Sequence, residues 1–207
     1  QLSKTLFHTG KASKSMCDDG KGHLLVGHIY EGMSVVDKKN RLIRHYRHEK
    51  HNPRSVPGNN VRSILTDHKG RIWVGTNQGL ALFNPTLGEF TAFPFSKDNA
   101  TAKGLNVHKL IETKEHQLWI ASDMGGISVV DLTQFDRSGR LEYKKIDNSN
   151  SNISSVSTRS IAQDKYGNIW IGSHNTGIDF LSFGKPAFGI LPFHDSKGNL
   201  KRVYGLT

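Results

Sequence analysis

The sequence predicts an all-β fold, a β-propeller of about four four-stranded blades. Three observations carry that expectation. One phrase recurs around Leu25, Trp73, Trp119 and Trp170, at spacings of 48, 46 and 51 residues. Inside each recurrence, short runs rich in Val, Ile and aromatic residues are cut by glycine turns at intervals of roughly eight to ten residues. The chain of 207 residues holds 21 glycines and only 6 prolines, a balance suited to many tight turns between short strands. No helical periodicity competes with this pattern.

Repeat 1 is the most worn: it keeps Asp19, Gly22, Leu24–Gly27 and Gly32–Asp37, with Leu25 where the later copies carry tryptophan, and an outer strand over Leu42–Arg47. Repeat 2 is complete. It reads Val61–Asp67, a turn at Lys69 and Gly70, then Arg71–Thr76, Gly79–Asn84 and an outer strand over Gly88–Phe95. Repeat 3 keeps Leu118–Ala121 and Gly126–Asp131, while its first turn, Lys114–His116, has lost the glycine. Repeat 4 follows repeat 2 closely, with Thr158–Asp164, Tyr166 and Gly167, Asn168–Ser173 and Gly177–Ser182.

The expected organisation is an outer strand of a preceding blade over 1–12, blades over 13–58, 59–104, 105–155 and 156–190, and a link with the first strand of a following blade over 191–207. The last assignment comes from the alignment of Val203–Thr207 with Val61–Leu65. Trp73, Trp119 and Trp170 each fall on a second strand, where a large flat side chain fills the wedge between twisted sheets, so they are assigned to the blade core. Four blades make a fragment of a larger ring, so exposed blade faces and self-association, as a homodimer, are expected.

Cys17 is the one cysteine, so no internal disulfide is available, and no Cys/His cluster has metal-ligand spacing; no metal or cofactor is assigned. No segment approaches the roughly 18 apolar residues of a membrane span. Gln1 is no initiator, which places the natural start upstream. The formal charge of +10 directs attention to an anionic partner.

The recurring phrase, an Asp-x-x-Gly turn followed by Ile-Trp-Ile/Val-Gly-Thr/Ser and a glycine-led hydrophobic strand, closely resembles the two-component regulator propeller repeat. The resemblance covers about residues 13 to 182. It implies part of the first of two seven-bladed propellers in a periplasmic sensor region, followed in such proteins by a membrane helix and a cytoplasmic histidine kinase, receiver and DNA-binding module. The stretch Phe183–Phe188 is similar to the family's link between propellers. The resemblance further implies sensing of an oligosaccharide and control of genes for polysaccharide use. No phosphoacceptor, nucleotide-binding or receiver motif occurs in this chain, so no catalytic residue is assigned and the chain itself is read as a non-enzyme, with membrane contact only through other parts of the parent.

Two groups of residues are candidates for ligand contact. Lys14, Arg62, His108 and Arg159 occupy equivalent places on the four first strands, which in a propeller open onto the central channel, and suit sulfates or carboxylates. Their alternative is structural, with Arg62 and Arg159 pairing Asp67 and Asp164 of their own turns. The run from Lys38 to Arg54 holds seven Lys or Arg, three His and one acid, Glu49. Within it Tyr46 is suited to stack on a sugar ring while Arg41, Arg44 and Arg47 address anionic groups; the competing view is that such charges guard an outer strand against edge pairing. Most of the remaining histidines, a scattered set that includes His28, are expected at the surface. A basic helix or recognition module is missing, so no nucleic-acid partner is assigned. A propeller lyase and a protein-interaction scaffold are the alternatives to a sensor. The lyase would need an acid or base at the channel mouth, where the aligned positions offer basic residues and no paired carboxylates.

Overall fold

The computed structural model describes residues 11–37, 41–93, 106–182, 193–194, 200–201 and 205–206. The expected outer strand over 1–12 falls largely outside these residues, as do Lys38 and Lys39 of the basic run and the link at 183–188. The fold is all-β, with the blades of a propeller.

The first sheet holds β1 (Ser13–Asp18), β2 (His23–His28), β3 (Met33–Asp37) and β4 (Leu42–Tyr46) in sequence order, every pair antiparallel. The second repeats the arrangement with β5 (Val61–Thr66), β6 (Ile72–Thr76), β7 (Gly79–Asn84) and β8 (Glu89–Phe93). A third sheet contains β9 (Asn106–Glu112), β10 (Gln117–Asp123), β11 (Gly126–Asp131) and β12 (Tyr143–Ile146). In the fourth, β13 (Thr158–Gln163), β14 (Ile169–Ser173) and β15 (Ile178–Leu181) are joined by the two-residue β18 (Gly205–Leu206), and β16 (Phe193–His194) pairs separately with β17 (Leu200–Lys201).

The chain divides into two compact units, Gln1–Leu110 and Ile111–Thr207, the division falling inside β9. In the first unit, Leu25, Met33 and Val35 of one blade meet Ile64, Ile72, Val74, Ala81, Phe83 and Phe90 of the next. The glycine two residues after the tryptophan column explains how closely a following strand approaches. A Cβ at Gly27 would fall 2.7 Å from Val61 Cγ1, and one at Gly75 would fall 2.5 Å from Val107 Cγ1, so only glycine leaves the neighbour its place. In the second unit, Trp119, Ala121 and Ile127 pack against Ile161, Ile169, Ile171 and Leu181.

Two features depart from expectation. A helix, α1 (Leu132–Ser138), interrupts the third repeat between β11 and β12. Asp131 caps it by accepting from the N–H groups of Thr133 (2.8 Å) and Gln134 (3.1 Å), and Gly139 ends it at φ 67°. The insertion accounts for the longer spacing from Trp119 to Trp170. At the far end, the segment aligned with a following first strand contributes β18, which lies parallel to β15 through Phe180 with Gly205 and Leu181 with Leu206. Among the described residues β15 has no antiparallel neighbour on that side, and its free edge offers the N–H and C=O groups that β18 takes up.

Candidate functional site

The first turn of each blade positions the centre of its sheet. In repeat 2 the Asp67 carboxylate accepts the N–H groups of Lys69 (3.0 Å) and Arg71 (2.9 Å) on Oδ1; Oδ2 accepts Arg71 Nε (2.6 Å) and Trp73 Nε1 (2.8 Å). One buried carboxylate thus closes the turn and fixes the indole. Repeat 4 uses the same device: Asp164 accepts from the N–H groups of Tyr166 and Asn168, from Asn168 Nδ2 and from Trp170 Nε1 at 3.2 Å. In repeat 3, Thr113 stands in the aspartate's place, Trp119 Nε1 donates to Gln117 Oε1 (3.1 Å), and His116 adopts the left-handed conformation, φ 57°, that glycine supplies elsewhere. Trp73 and Trp119 are buried; Trp170 is only partly buried, against Phe180 with ring centroids 4.6 Å apart.

Repeat 1 has the turn without the indole. Asp19 accepts the N–H groups of Lys21 (2.7 Å) and His23 (2.9 Å) on Oδ1, and its Oδ2 takes His23 Nδ1 at 2.7 Å, where Oδ2 of Asp67 takes an indole. Burial pushes the Asp19 carboxyl up, yet the hydrogen bonds from His23 and Lys21 outweigh it and hold the group below the ordinary aspartate value. Leu25 pairs with Val35 and Val35 with Arg44, just as Trp73 pairs with Leu82 and Leu82 with Thr91. A cavity of about 340 Å³ opens here, lined by Asp19, His23, Leu25, Val35, Ile43, Arg44, Tyr46, Phe83, Pro85 and Thr86. Ile43 is the extra residue of a bulge in β4, and Tyr46 stands edge-on to Phe83 and Phe90, with centroids 4.9 and 5.6 Å away. Neither Arg44 nor the Tyr46 hydroxyl has a hydrogen-bond or ion-pair partner among the described residues.

The sequence candidates therefore separate. Arg44 and Tyr46 share the cavity, whereas Arg41 pairs with Asp37 (3.1 Å) and Arg47 with Glu31 (2.9 Å). Lys14, Arg62 and Arg159 share a feature that spacing does not reveal: each is the extra residue of a β-bulge at the start of its first strand, where the register skips from Ser13 to Ser15, Val61 to Ser63 and Thr158 to Ser160. A bulge re-aims its side chain, and here it does so alike in three blades. Lys14 is exposed; Arg62 Nη1 donates to His108 Nε2 at 2.8 Å, and Arg159 pairs with Asp123 at 3.2 Å. The pairing with the turn aspartates is replaced by these contacts, because Asp67 and Asp164 are saturated by their own turns and indoles.

The family described as two-component regulator propeller matches residues 55–78 and 152–175, the stretches that hold the first two strands of repeats 2 and 4. Residues 55–78 and 152–175 are two-component regulator propeller repeats. The chain is 32% identical to the extracellular domain of the putative hybrid two component system BT3049 from B. thetaiotaomicron, with a TM-score of 0.62, over 84% of this chain and 21% of that one. An 84-residue stretch is 36% identical to histidine kinase P4 of Formosa agariphila, covering 38% of this chain and 6% of the kinase. Virginiamycin B lyase from Staphylococcus aureus shares the fold alone, at 13% identity and a TM-score of 0.57 over 94% of this chain and 56% of the lyase. The chain thus spans about a fifth of the extracellular domain it resembles and a small part of the kinase. No helix among the described residues is long and apolar enough to cross a membrane.

One of the scattered histidines is an exception to the surface position expected for most of them. His28 is fully buried, with Nε2 2.8 Å from Ser34 Oγ; that oxygen is 3.0 Å from His45 Nδ1, and Lys11 Nζ is 2.7 Å from His45 Nε2. Because the ammonium can only donate, His45 accepts on Nε2 and donates through Nδ1, so Ser34 donates to His28 Nε2. Both rings are neutral in this chain of bonds. Burial pushes His28 down, followed by the charges of His45 and Lys11, against Glu31; burial and Lys11 do the same to His45, with Arg47 adding to them. The folded values lie below 6.5, so the stabilisation is complete above that pH and is lost as pH falls through the folded values. The melting temperature is expected to drop as pH is lowered below 6.5. His28→Gln should flatten the drop. An identical slope in the variant would show that His28 does not contribute.

Proposed function

We propose that this chain is the periplasmic ligand-sensing propeller module of a hybrid two-component regulator. It recognises an acidic oligosaccharide and governs polysaccharide-utilisation genes through the regulator's kinase, receiver and DNA-binding parts. The observation that supports the sensor assignment is the 32% identity, over 84% of the chain, to the extracellular domain of a putative hybrid two component system. The preference for an acidic ligand rests on basic side chains carried by equivalent bulges, Lys14 and Arg62 in the first unit and Arg159 in the second. Self-association belongs to the same reading, through the face of the first sheet on which Met16, Leu24 and Leu42 are exposed. No catalytic step is part of it.

Binding of sulfated, uronic-acid and neutral oligosaccharides to the complete sensor region tests this assignment. Acidic glycans are expected to bind and to weaken as ionic strength rises past physiological values, where the screening length is about 8 Å. Lys14→Ala combined with Arg62→Ala should lower affinity about tenfold or more, since each removes a charge-assisted contact. Tight, salt-insensitive binding of a neutral glycan, unchanged in the double variant, would refute the acidic-ligand assignment.

A further inference from the structure

Tyr30 stands at the tip of the β2–β3 turn, with a side chain 72% exposed and a backbone held at φ 64°. That left-handed conformation suits glycine or asparagine and is strained for a bulky aromatic residue. The turn does not require the ring. In the third blade a turn of equal length, three residues between Ser122 and Gly126, carries Met124 in the same place at φ 57°. Neither the Tyr30 hydroxyl nor its ring has a hydrogen-bond or ring partner among the described residues, so the fold gains no contact from the aromatic group. Strain of this kind, kept for an exposed side chain, points to a use outside the fold.

The turn beneath the ring is anchored on every side. The N–H of His28 donates to the Gly32 carbonyl oxygen (2.9 Å), that of Ile29 to Ala12 (2.8 Å) and that of Gly32 to Asn59 (2.7 Å). A Cβ on Gly32 would fall 2.0 Å from the Tyr46 carbonyl oxygen, so the end of β4 closes against the turn. Glu31 is held by Arg47 at 2.9 Å. A flat ring on a fixed turn offers contact area with little left to order on binding.

The same hydrogen bonds place the ring among basic groups. Ala12 and Asn59 are the lead-ins to β1 and β5, the two strands of the first unit that open with a bulged basic residue. Lys14 follows the Ser13–His28 rung, two residues along the chain from His28 lies Tyr30, and the two therefore share one end of the first sheet. Lys14 is exposed and has no hydrogen-bond or ion-pair partner among the described residues. The apolar face of a pyranose ring stacks on a tyrosine, and a carboxylate or sulfate at the rim of that ring then meets a flanking ammonium.

We propose that Tyr30 is the stacking platform for one sugar ring of an acidic oligosaccharide, with Lys14 meeting the acid group of that ring. The assignment rests on the acidic-glycan reading above and adds to it the group that holds the sugar itself.

Calorimetric titration of the full chain with trigalacturonate and with maltotriose tests the proposal. Trigalacturonate should bind saturably, and maltotriose about tenfold more weakly or worse. Tyr30→Gly and Tyr30→Asn, both suited to the left-handed turn, should leave the melting temperature no lower and weaken trigalacturonate about tenfold while keeping its salt dependence. Tyr30→Phe should bind as the wild type does. Lys14→Ala should weaken binding and reduce the salt dependence. Affinity unchanged in Tyr30→Gly and Tyr30→Asn but lowered in Lys14→Ala would overturn the platform and leave the acidic-glycan reading in place. Maltotriose binding as tightly as trigalacturonate, and lost in Tyr30→Gly, would overturn the acidic-glycan reading and the role of Lys14 while sustaining the platform. No saturable binding of either sugar at millimolar concentration would overturn both.

Discussion

Trp73→Ala is expected to destabilise the first unit by about 3–5 kcal/mol, the range for emptying a buried aromatic site. Trp73 is fully buried, its indole N–H reaches the Asp67 carboxylate at 2.8 Å, and its ring lies 5.7 Å from that of Phe93. Removal loses the apolar burial, leaves a void that strands on both sides cannot fill, and strips one donor from a buried carboxylate. Trp119→Ala should cost about as much in the second unit, because Trp119 is 3% exposed within the apolar cluster of that unit. Trp170→Ala should cost less, roughly half, since its ring is only partly buried. Denaturant unfolding of the three variants measures the series. A loss below about 1 kcal/mol at Trp73 would mean that its ring does not hold the blade together.

Asp67→Ala is expected to be nearly as damaging, at about 3–5 kcal/mol, although it removes little volume. The carboxylate side chain is fully shielded and holds Arg71, itself 18% exposed, at 2.6 Å. Truncation leaves that guanidinium, the Trp73 indole and two turn N–H groups without their acceptor, and buried donors left unmade cost more than the net worth of the bonds themselves. Asp67→Asn should fall between the two, because one amide oxygen still serves the turn while its NH₂ opposes the remaining donors. Equal stability of wild type and Asp67→Ala in urea would show that the turn closes without the carboxylate.

Much of the fold is legible because its local chemistry repeats. Glycine turns, alternating Val and Ile, and a tryptophan at fixed offset mark second and third strands without any long-range information. Helix α1 is hidden because seven residues are too few to display a period; only the cap pair Asp131 and Gly139 announces it. The burial of His28 is hidden for another reason. A buried neutral histidine needs partners, and its partner Ser34 lies on the next strand, linked in turn to His45 and Lys11, a set that exists only after folding.

The candidate site is half legible. Charge alone singles out Arg44, and Tyr46 follows from its place among the basic residues, but charge also singles out Arg41 and Arg47, which pair with Asp37 and Glu31. Leu25 is visible as a worn position, and nothing in a sequence tells whether neighbours collapse into the space a lost indole leaves. That outcome depends on the shapes of Phe83, Pro85 and the bulged Ile43, which come from different strands.

Helix α1 has a practical consequence for protein engineering. It adds length to the third blade after β11 has already paired Val129 with Trp119, and β12 then resumes against the same strand through Val129 with Lys144. Extra residues are accommodated without moving any rung of the ladder. The helix end, Asp136–Arg140, faces solvent, and its neighbours on either side are held by their own pairings. A reporter peptide or affinity tag grafted between Ser138 and Arg140 would therefore occupy a position where the fold already carries an insertion.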